Sequence, residues 1–129
     1  MSHGYLALVL HAHLPFVRHP EHDDFLEEDW FYEALTETYV PLIDMFDGLL
    51  RDGVDFRITM SLTPPLCEML TDDLLRARYL RQLDKLTKLA ALEVERTKKD
   101  GAFHESAKMY LEKFRRTRHV YCDVYGGNL

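Results

Sequence analysis

The stretch "GYLALVLHAHLPF" (residues 4–16) joins an apolar run directly to two histidines and a proline. Its segment "YLALVL" (5–10) is apolar on both faces, which is typical of a parallel strand covered by helices. Side chains alternate along a strand, so this strand has two different faces. One face carries Leu6, Leu8 and Leu10, and the other carries Ala7, Val9 and His11. We expect the leucine face to pack against helices and the other face to line a crowded interior.

The segment "DFRITMSLTPP" (55–65) predicts a second strand with the same alternation. Its apolar positions are Phe56, Ile58, Met60 and Leu62, and its polar positions are Arg57, Thr59, Ser61 and Thr63. The apolar set is expected against helices, whereas the polar set is expected to line the same space as His11. Pro64 and Pro65 end the strand, and one of them can open a short helix, where its missing N–H costs nothing.

Three longer segments carry apolar residues at steps of three and four, which predicts amphipathic helices. The first extends from about Trp30 to Asp52 and stops at "RDG"; it contains Pro41, which is expected to kink it. The second extends from about Asp72, capped by Thr71, to Lys99. The third extends from about Phe103 to Tyr125, with Ala107, Tyr110, Phe114 and Tyr121 facing inward, and stops at "GG" (126–127).

The composition indicates one soluble globular unit or part of a larger one, because 47% of the 129 residues are hydrophobic. The formal net charge of -6 argues against nucleic acid or an anionic membrane as a partner. No apolar run reaches the roughly 20 residues of a membrane span.

The basic cluster "KFRRTR" (113–118) is expected on the solvated face of a packed helix. Cys67 and Cys122 lie far apart and the run at 5–10 is too short for a signal peptide, so we predict a reduced, cytoplasmic protein.

Two parallel strands cannot cover both of their faces or both of their edges. We therefore predict an α/β chain with two parallel strands and several long helices, which forms the opening part of a larger barrel or sheet. Residues 1–129 would leave that barrel incomplete. Two alternatives stay open. The missing strands could come from a second copy by self-association, or the helices could wrap a small sheet alone.

His11 and His13 are two residues apart, so they share a face on a strand. At the carboxyl end of a barrel strand, that face points into the mouth where active sites form. The pair could ligate a metal with further ligands from later strands, or a neutral imidazole could hydrogen-bond sugar hydroxyls. Alternatively, one histidine is buried and bonded to the backbone while the other lies at the surface. The remaining histidines are predicted to be surface residues: His3, His19, His22, His104 and His119.

Three segments together resemble a known family. They are "GYLALVLHAHLPFVRHPE", "LEEDWFYEALTETYVPLIDMF" and "FRITMSLTPPLCEML". The series is similar to the N-terminus of glycoside hydrolase family 57, most closely its 1,4-α-glucan branching enzyme group. H-x-H-x-P at the end of the first strand, followed at this distance by "EDWFYEA" and "SLTPPL", is far more specific than the histidine pair alone. The resemblance covers most of the chain.

The resemblance implies a (β/α)7 barrel with a helical region that cleaves α-1,4-glucan with retention, without a metal or other cofactor. Retaining enzymes use two carboxylates about 5–5.5 Å apart. Branching enzymes then pass the glucosyl group to a sugar 6-hydroxyl. The resemblance also implies that His11 contacts the sugar at the cleavage subsite, with His13 supporting it. Trp30 matches an aromatic near the cleft, where an indole can stack on a sugar; alternatively, it is a staple at the start of its helix.

The nucleophile glutamate and the acid/base aspartate of the family belong to later motifs that residues 1–129 do not contain. We therefore assign no catalytic residue, and interpret the acidic loop "RHPEHDDFLEED" (18–29) as solvated. The predicted function is that of an N-terminal segment, residues 1–129, of a catalytic barrel that acts on an α-glucan of the amylose or glycogen type. One alternative is a metal-dependent hydrolase or deacetylase barrel with His11 and His13 as ligands. Another is a non-catalytic binding or assembly module.

Overall fold

The computed structural model describes residues 4–129, so the expectation for His3 lies outside the described residues. Within this range, strands β1 (Val9–Ala12) and β2 (Thr59–Leu62) form a parallel sheet. The helices are α1 (Glu28–Ala34), α2 (Val40–Arg51), α3 (Pro64–Thr71), α4 (Asp73–Arg96) and α5 (Gly101–His119). Two π-helical turns, Leu35–Tyr39 and Val120–Val124, follow α1 and α5. The predicted combination of two parallel strands with several helices is confirmed.

Both strands are shorter than predicted, because a segment forms a ladder only where a partner strand lies opposite. β1 begins at Val9 rather than Tyr5 and extends through His11 to Ala12, which corrects the predicted strand over residues 5–10. β2 occupies only the centre of the predicted segment 55–65. The register places His11 directly opposite Ser61.

The alternation predicted for the first strand holds within the ladder, but one face of the sheet is open. Ala12 is buried, whereas His11 is exposed and Val9 is 70% exposed. The crowded interior expected around Val9 and His11 is therefore an accessible surface in residues 4–129. Leu6 and Leu8 are 85% and 53% exposed, so the prediction that they pack against helices is wrong. They precede the paired segment, where the chain is not held against the helices.

The second strand also alternates as predicted over residues 56–61, but Thr63, expected on the exposed polar face, is half-buried. Its half-buried side chains are Phe56, Ile58 and Met60, and its exposed ones are Arg57, Thr59 and Ser61. The ring of Phe56 stacks on that of Phe46 with centroids 5.4 Å apart, which packs this segment against α2. Leu62, expected on the covered face, is 51% exposed. Pro64 and Pro65 occupy the first turn of α3, as predicted.

The helix predicted from Trp30 to Asp52 is divided by a π-helical turn. In that turn the N–H of Val40 donates to the carbonyl of Leu35, five residues back. The next residue, Pro41, has no N–H with which to continue the regular α-helical pattern. Pro41 therefore coincides with an interruption of the helix, and the interruption is a change of hydrogen-bond register.

The long helix α4 is capped by Asp72, not by Thr71 as predicted. A side-chain oxygen of Asp72 accepts a hydrogen bond from the N–H of Leu75 at 2.9 Å. The hydroxyl of Thr71 instead donates to the carbonyls of Cys67 and Glu68. The prediction is wrong by one residue because α3 extends to Thr71, whose hydroxyl then bonds back within its own helix.

Glycines end the helical segments where the sequence predicts. Gly53 follows α2 with a φ of 72°, and Gly126 and Gly127 follow the last π-helical turn with φ of 64° and 73°. These left-handed conformations are accessible to glycine at little steric cost, so the chain can leave each helix sharply.

The hydrophobic core lies around α4, with contributions from α1, α3 and the chain's last turn. Its fully buried side chains include Val17, Phe31, Leu35, Leu66, Met69, Leu75, Tyr79 and Leu83. The Tyr79 ring lies 6.1 Å from that of Tyr32 and 5.0 Å from that of Tyr121, between centroids. On α5, Ala107 is buried as predicted, but Tyr110, expected inward, is 46% exposed.

The predicted basic cluster lies at the surface of α5 and forms ion pairs with neighbouring helices. Arg116 pairs with Asp44 at 2.5 Å, and Arg118 pairs with Asp84 at 2.8 Å. The side chains of Arg116 and Arg118 are 66% and 45% exposed, in agreement with the predicted solvated face. Across residues 4–129, no helix combines the length and apolar character needed to cross a membrane.

Candidate functional site

The open face of the sheet carries a group of polar side chains that we call the histidine face: His11, His13 and Ser61. Because His11 and Ser61 are opposite each other in the ladder, their side chains meet directly. The Nδ1 atom of His11 lies 2.6 Å from the hydroxyl oxygen of Ser61, within hydrogen-bond distance. The expectation that the polar positions of the second strand line the same space as His11 is thus confirmed at Ser61.

His13 adds a second imidazole to this face. Its ring is nearly parallel to that of His11, with an interplanar angle of 14° and centroids 5.9 Å apart. The predicted common face of the two histidines is confirmed. In residues 4–129, no group of three or more His, Cys, Asp or Glu side chains could hold a metal ion, so the pair has no third ligand there.

The segment that follows the histidines is anchored to the core at Leu14 and Val17. Val17 is almost fully buried, and its N–H donates to the sulfur of Met69 at 3.3 Å. Leu14 is half-buried against the core, whereas Phe16 is 53% exposed. The chain therefore leaves the sheet along a defined path, which holds the histidines near the carboxyl end of β1.

The acidic loop at 18–29 is not entirely solvated, and the prediction is wrong for its most important residue. Glu28 is 1% exposed and forms, with Arg78 and Tyr32, a buried group that we call the Glu28 cluster. Its carboxylate lies 2.5 Å from Arg78 and accepts hydrogen bonds from the Tyr32 hydroxyl at 2.7 Å and the His19 N–H at 3.0 Å. Burial requires such compensation, because an unpaired charge in the interior is costly.

Arg78 extends this cluster to the loop backbone. Its guanidinium also donates to the carbonyls of His19 and His22. Burial by itself lowers the pKa of Arg78, but hydrogen bonding and charge attraction from Glu28 outweigh it, so the pKa is raised. Burial, with the hydrogen bond to Glu28, likewise raises the pKa of the Tyr32 phenol. The arginine thus remains charged and ties the loop to α4.

The other histidines divide between surface and half-buried positions. His22 and His119 are exposed, as predicted. The side chain of His19 is only 24% exposed: its ring packs on Phe25 with centroids 3.8 Å apart and contacts Glu27 at 3.1 Å. His104 is also half-buried, beside Thr97. The surface prediction is wrong for His19 and His104, because neighbouring turns fold over them.

Trp30 lies in the first turn of α1, two residues after Glu28, and is 52% exposed. Its indole therefore retains an accessible surface.

The sequence predicted Trp30, His11 and His13 as candidate site residues, but it did not predict Ser61 as the hydrogen-bond partner of His11. The strand register could have found it, since both residues lie on the polar-facing positions of paired strands. Glu28 was hidden among five other carboxylates of the same loop, and nothing local distinguishes it.

Comparison with known proteins identifies relatives of this chain. No protein-family model matches the chain. Among curated proteins, the chain is 36% identical over 126 residues to the 1,4-alpha-glucan branching enzyme TK1436 of Thermococcus kodakarensis, and the match covers 98% of this chain. It covers 18% of that protein, so the chain spans about a fifth of the relative's length.

Solved structures superpose on nearly the whole chain. The alpha-amylase AmyC from Thermotoga maritima has a TM-score of 0.87 and 52% identity, with 95% of this chain and 23% of that chain covered. The GH57-type branching enzyme from Pyrococcus horikoshii has a TM-score of 0.87 and 32% identity, with 97% of this chain and 23% of that chain covered. The resemblance inferred from the motifs is therefore confirmed: over nearly its whole length, this chain is homologous to glycoside hydrolase family 57 branching enzymes.

Proposed function

We propose that residues 1–129 are the N-terminal segment of the catalytic (β/α)7 barrel of an enzyme that branches α-1,4-glucan by retaining glycosyl transfer. The single observation that carries the proposal is the histidine face at the carboxyl end of β1, in a chain that matches branching enzymes along 98% of its length. In barrel enzymes that end of each strand is where substrates bind. The exposed positions around Val9 would be covered by later strands of the same barrel, or by a second copy of the chain.

In this proposal the residues of the histidine face bind sugar and do not break bonds. His11 hydrogen-bonds the glucosyl unit at the cleavage subsite, and His13 supports the imidazole ring of His11. Trp30 stacks on a neighbouring sugar. An imidazole with one donor and one acceptor nitrogen suits a hydroxyl group, which also donates and accepts. The two carboxylates of the retaining reaction lie on later barrel strands. The substrate is an α-glucan of the amylose or glycogen type, and the enzyme acts in the cytoplasm.

Hydrolysis is the second candidate, because the similar structure with 52% identity is described as an alpha-amylase. The two reactions differ in the acceptor of the glucosyl group, which is water in hydrolysis and a sugar 6-hydroxyl in branching. Analysis of amylose products from the whole enzyme separates them. Branch points removable by a debranching enzyme indicate transfer, and new reducing ends without branches indicate hydrolysis.

Binding of maltoheptaose to the 129-residue chain tests the role of the histidine face. We expect the sugar to shift the imidazole NMR signals of His11 and His13, and we expect His11→Ala to abolish saturable binding. His119→Ala is the matched control, because His119 is an exposed histidine at the end of α5 that contacts Asp123 and no residue of the histidine face. Equal loss of binding in both variants would contradict the proposal. So would formation of α-1,6 branches on amylose by the purified chain, since we expect it to be catalytically inactive.

A further inference from the structure

We propose that Ser61 is a positioning residue for His11: its hydroxyl holds Nδ1 of the imidazole and thereby leaves Nε2 as the atom presented to a sugar hydroxyl. The contact between Nδ1 and the serine oxygen is 2.6 Å long. The sugar part of this inference rests on the proposed function, whereas the effect of Ser61 on the His11 ring does not.

The backbone sets this contact. In the parallel ladder, His11 is the direct partner of Ser61, and backbone hydrogen bonds flank the pair on both sides. The Thr59 N–H donates to the Leu8 carbonyl at 3.1 Å, and the Thr63 N–H donates to the Ala12 carbonyl at 3.2 Å. Ser61 and His11 have only one and two side-chain torsions that place these atoms, and both start from fixed backbone positions, so little conformational entropy is lost when they bond. This advantage offsets the competition from water on an exposed face.

The contact decides which nitrogen of His11 faces a ligand. In a neutral imidazole one nitrogen donates and the other accepts, and the bond made by one nitrogen sets the role of the other. If the serine oxygen accepts from Nδ1–H, Nε2 is left as an acceptor; if the serine donates, Nε2–H is left as a donor. Either form complements a sugar hydroxyl. Without Ser61, water replaces the serine at Nδ1, so the tautomer preference set by this contact is lost and a wider range of ring rotations becomes accessible.

His13 restrains the same ring from a second direction. The two imidazoles are 14° from parallel with centroids 5.9 Å apart, so the His13 ring lies beside that of His11 while Ser61 contacts its edge. A ring with neighbours in two directions has fewer accessible orientations. This arrangement is expected where a side chain must meet a ligand with defined geometry.

The chain offers a matched control at Thr59. This residue lies on the same strand and the same exposed face as Ser61, but its ladder partner is Val9, whose side chain has no polar atom. Removing the Thr59 hydroxyl therefore perturbs the strand surface as removing the Ser61 hydroxyl does, without touching an imidazole. Ser61→Thr keeps a hydroxyl at the critical position and is compatible with a strand.

The experiment measures the ring nitrogen NMR shifts of His11 in the 129-residue chain and in three variants. We expect Ser61→Ala to change the ratio of the two neutral tautomers, and we expect Ser61→Thr and Thr59→Ala to retain the native ratio. Circular dichroism and the urea midpoint of unfolding verify that all four proteins are folded alike. Native His11 shifts in Ser61→Ala would overturn the proposal.

Maltoheptaose titration supplies the second readout. We expect Ser61→Ala to raise the dissociation constant about three- to tenfold, the usual effect of losing one hydrogen bond, with Ser61→Thr restoring it. An altered tautomer ratio with unchanged affinity would overturn the positioning role. If none of the four proteins, the native chain included, binds the sugar, the proposed sugar-binding role of the histidine face is contradicted, and the tautomer ratio alone then decides whether Ser61 controls His11.

Discussion

The two polar regions of the molecule differ most in how their hydrogen bonds are used. In the Glu28 cluster, Glu28 is 1% exposed and Arg78 is 8% exposed, and protein groups occupy both carboxylate oxygens. On the histidine face, His11 and His13 are exposed, and the Nδ1 contact with Ser61 uses only one of the two nitrogens of His11. In the Glu28 cluster the polar groups are paired with other protein groups, whereas on the histidine face some polar groups remain accessible to a ligand.

This difference shows how the fold can support a site without forming part of it. The Glu28 cluster joins α1 and α4 and binds two backbone carbonyls of the loop between the histidines and α1. It therefore defines the path of the chain that follows "HAHLPF". Buried polar groups act in this way only when all are paired, because an unpaired one costs more than the pair contributes.

Breaking the buried ion pair should have the largest effect. Glu28→Gln preserves the shape of the side chain but leaves the Arg78 charge unpaired, so we expect the free energy of unfolding to fall by about 3 kcal/mol. Urea unfolding followed by circular dichroism measures it. Asp24→Asn is the matched control, because Asp24 pairs with Arg81 one turn further along α4 but is 88% exposed on its side chain. An exposed pair contributes little, so a similar loss in both variants would contradict the distinction drawn between them.

Alkaline pH should destabilise the protein through its buried tyrosines, whereas the exposed histidine face should be unaffected. Burial raises the pKa of the Tyr79 phenol above its ordinary value, and the hydrogen bond with Thr36 only partly opposes this. A raised pKa in the folded state means that the unfolded chain loses the phenolic proton first. The stability is therefore complete below pH ~10 and is lost as the pH rises further, by about 1 kcal/mol for each pH unit.

Urea unfolding between pH 8 and 11.5 tests this expectation, with Tyr79→Phe as the informative variant. Removing the ionisable group should make the free energy of unfolding less dependent on pH above 10. Tyr5→Phe is the control, since Tyr5 is fully exposed and should leave the dependence as it is in the native chain. If Tyr79→Phe and the native chain lose stability with the same slope, burial of Tyr79 is not the cause.

Changing the histidine face should have the smallest effect on stability. His11 is exposed and contributes no buried apolar surface, so we expect His11→Ala to change the free energy of unfolding by less than about 0.5 kcal/mol. The same variant is expected to abolish maltoheptaose binding. Urea unfolding measures the stability of His11→Ala, and maltoheptaose titration of the same preparation measures its binding. A loss as large as that in Glu28→Gln would show that His11 supports the fold and would remove the contrast between the two regions.

Much of the fold follows from local patterns in the sequence. Proline at 41 marks the interrupted helix, glycines at 53 and 126–127 mark helix ends, and Pro64 marks the start of α3. Alternation in the second strand correctly places Ser61 on the face of His11. The lengths of the strands do not follow in this way, because a residue such as Tyr5 has a suitable side chain but no partner strand. The predicted cap of α4 was wrong by one residue, because Thr71 and Asp72 are both good capping residues.

The sequence by itself determined the helix and strand periods, the stops between them and the pairing of two imidazoles on one face, because all of these depend on residues close together in the chain. Only the tertiary structure decided that Glu28, of six carboxylates in one loop, is buried against Arg78, 50 residues away. It also decided that His11 meets Ser61. The physical reason is that such contacts depend on how distant helices and strands pack, and the local chemistry of an acidic loop is the same whether one of its side chains enters the core or remains in water.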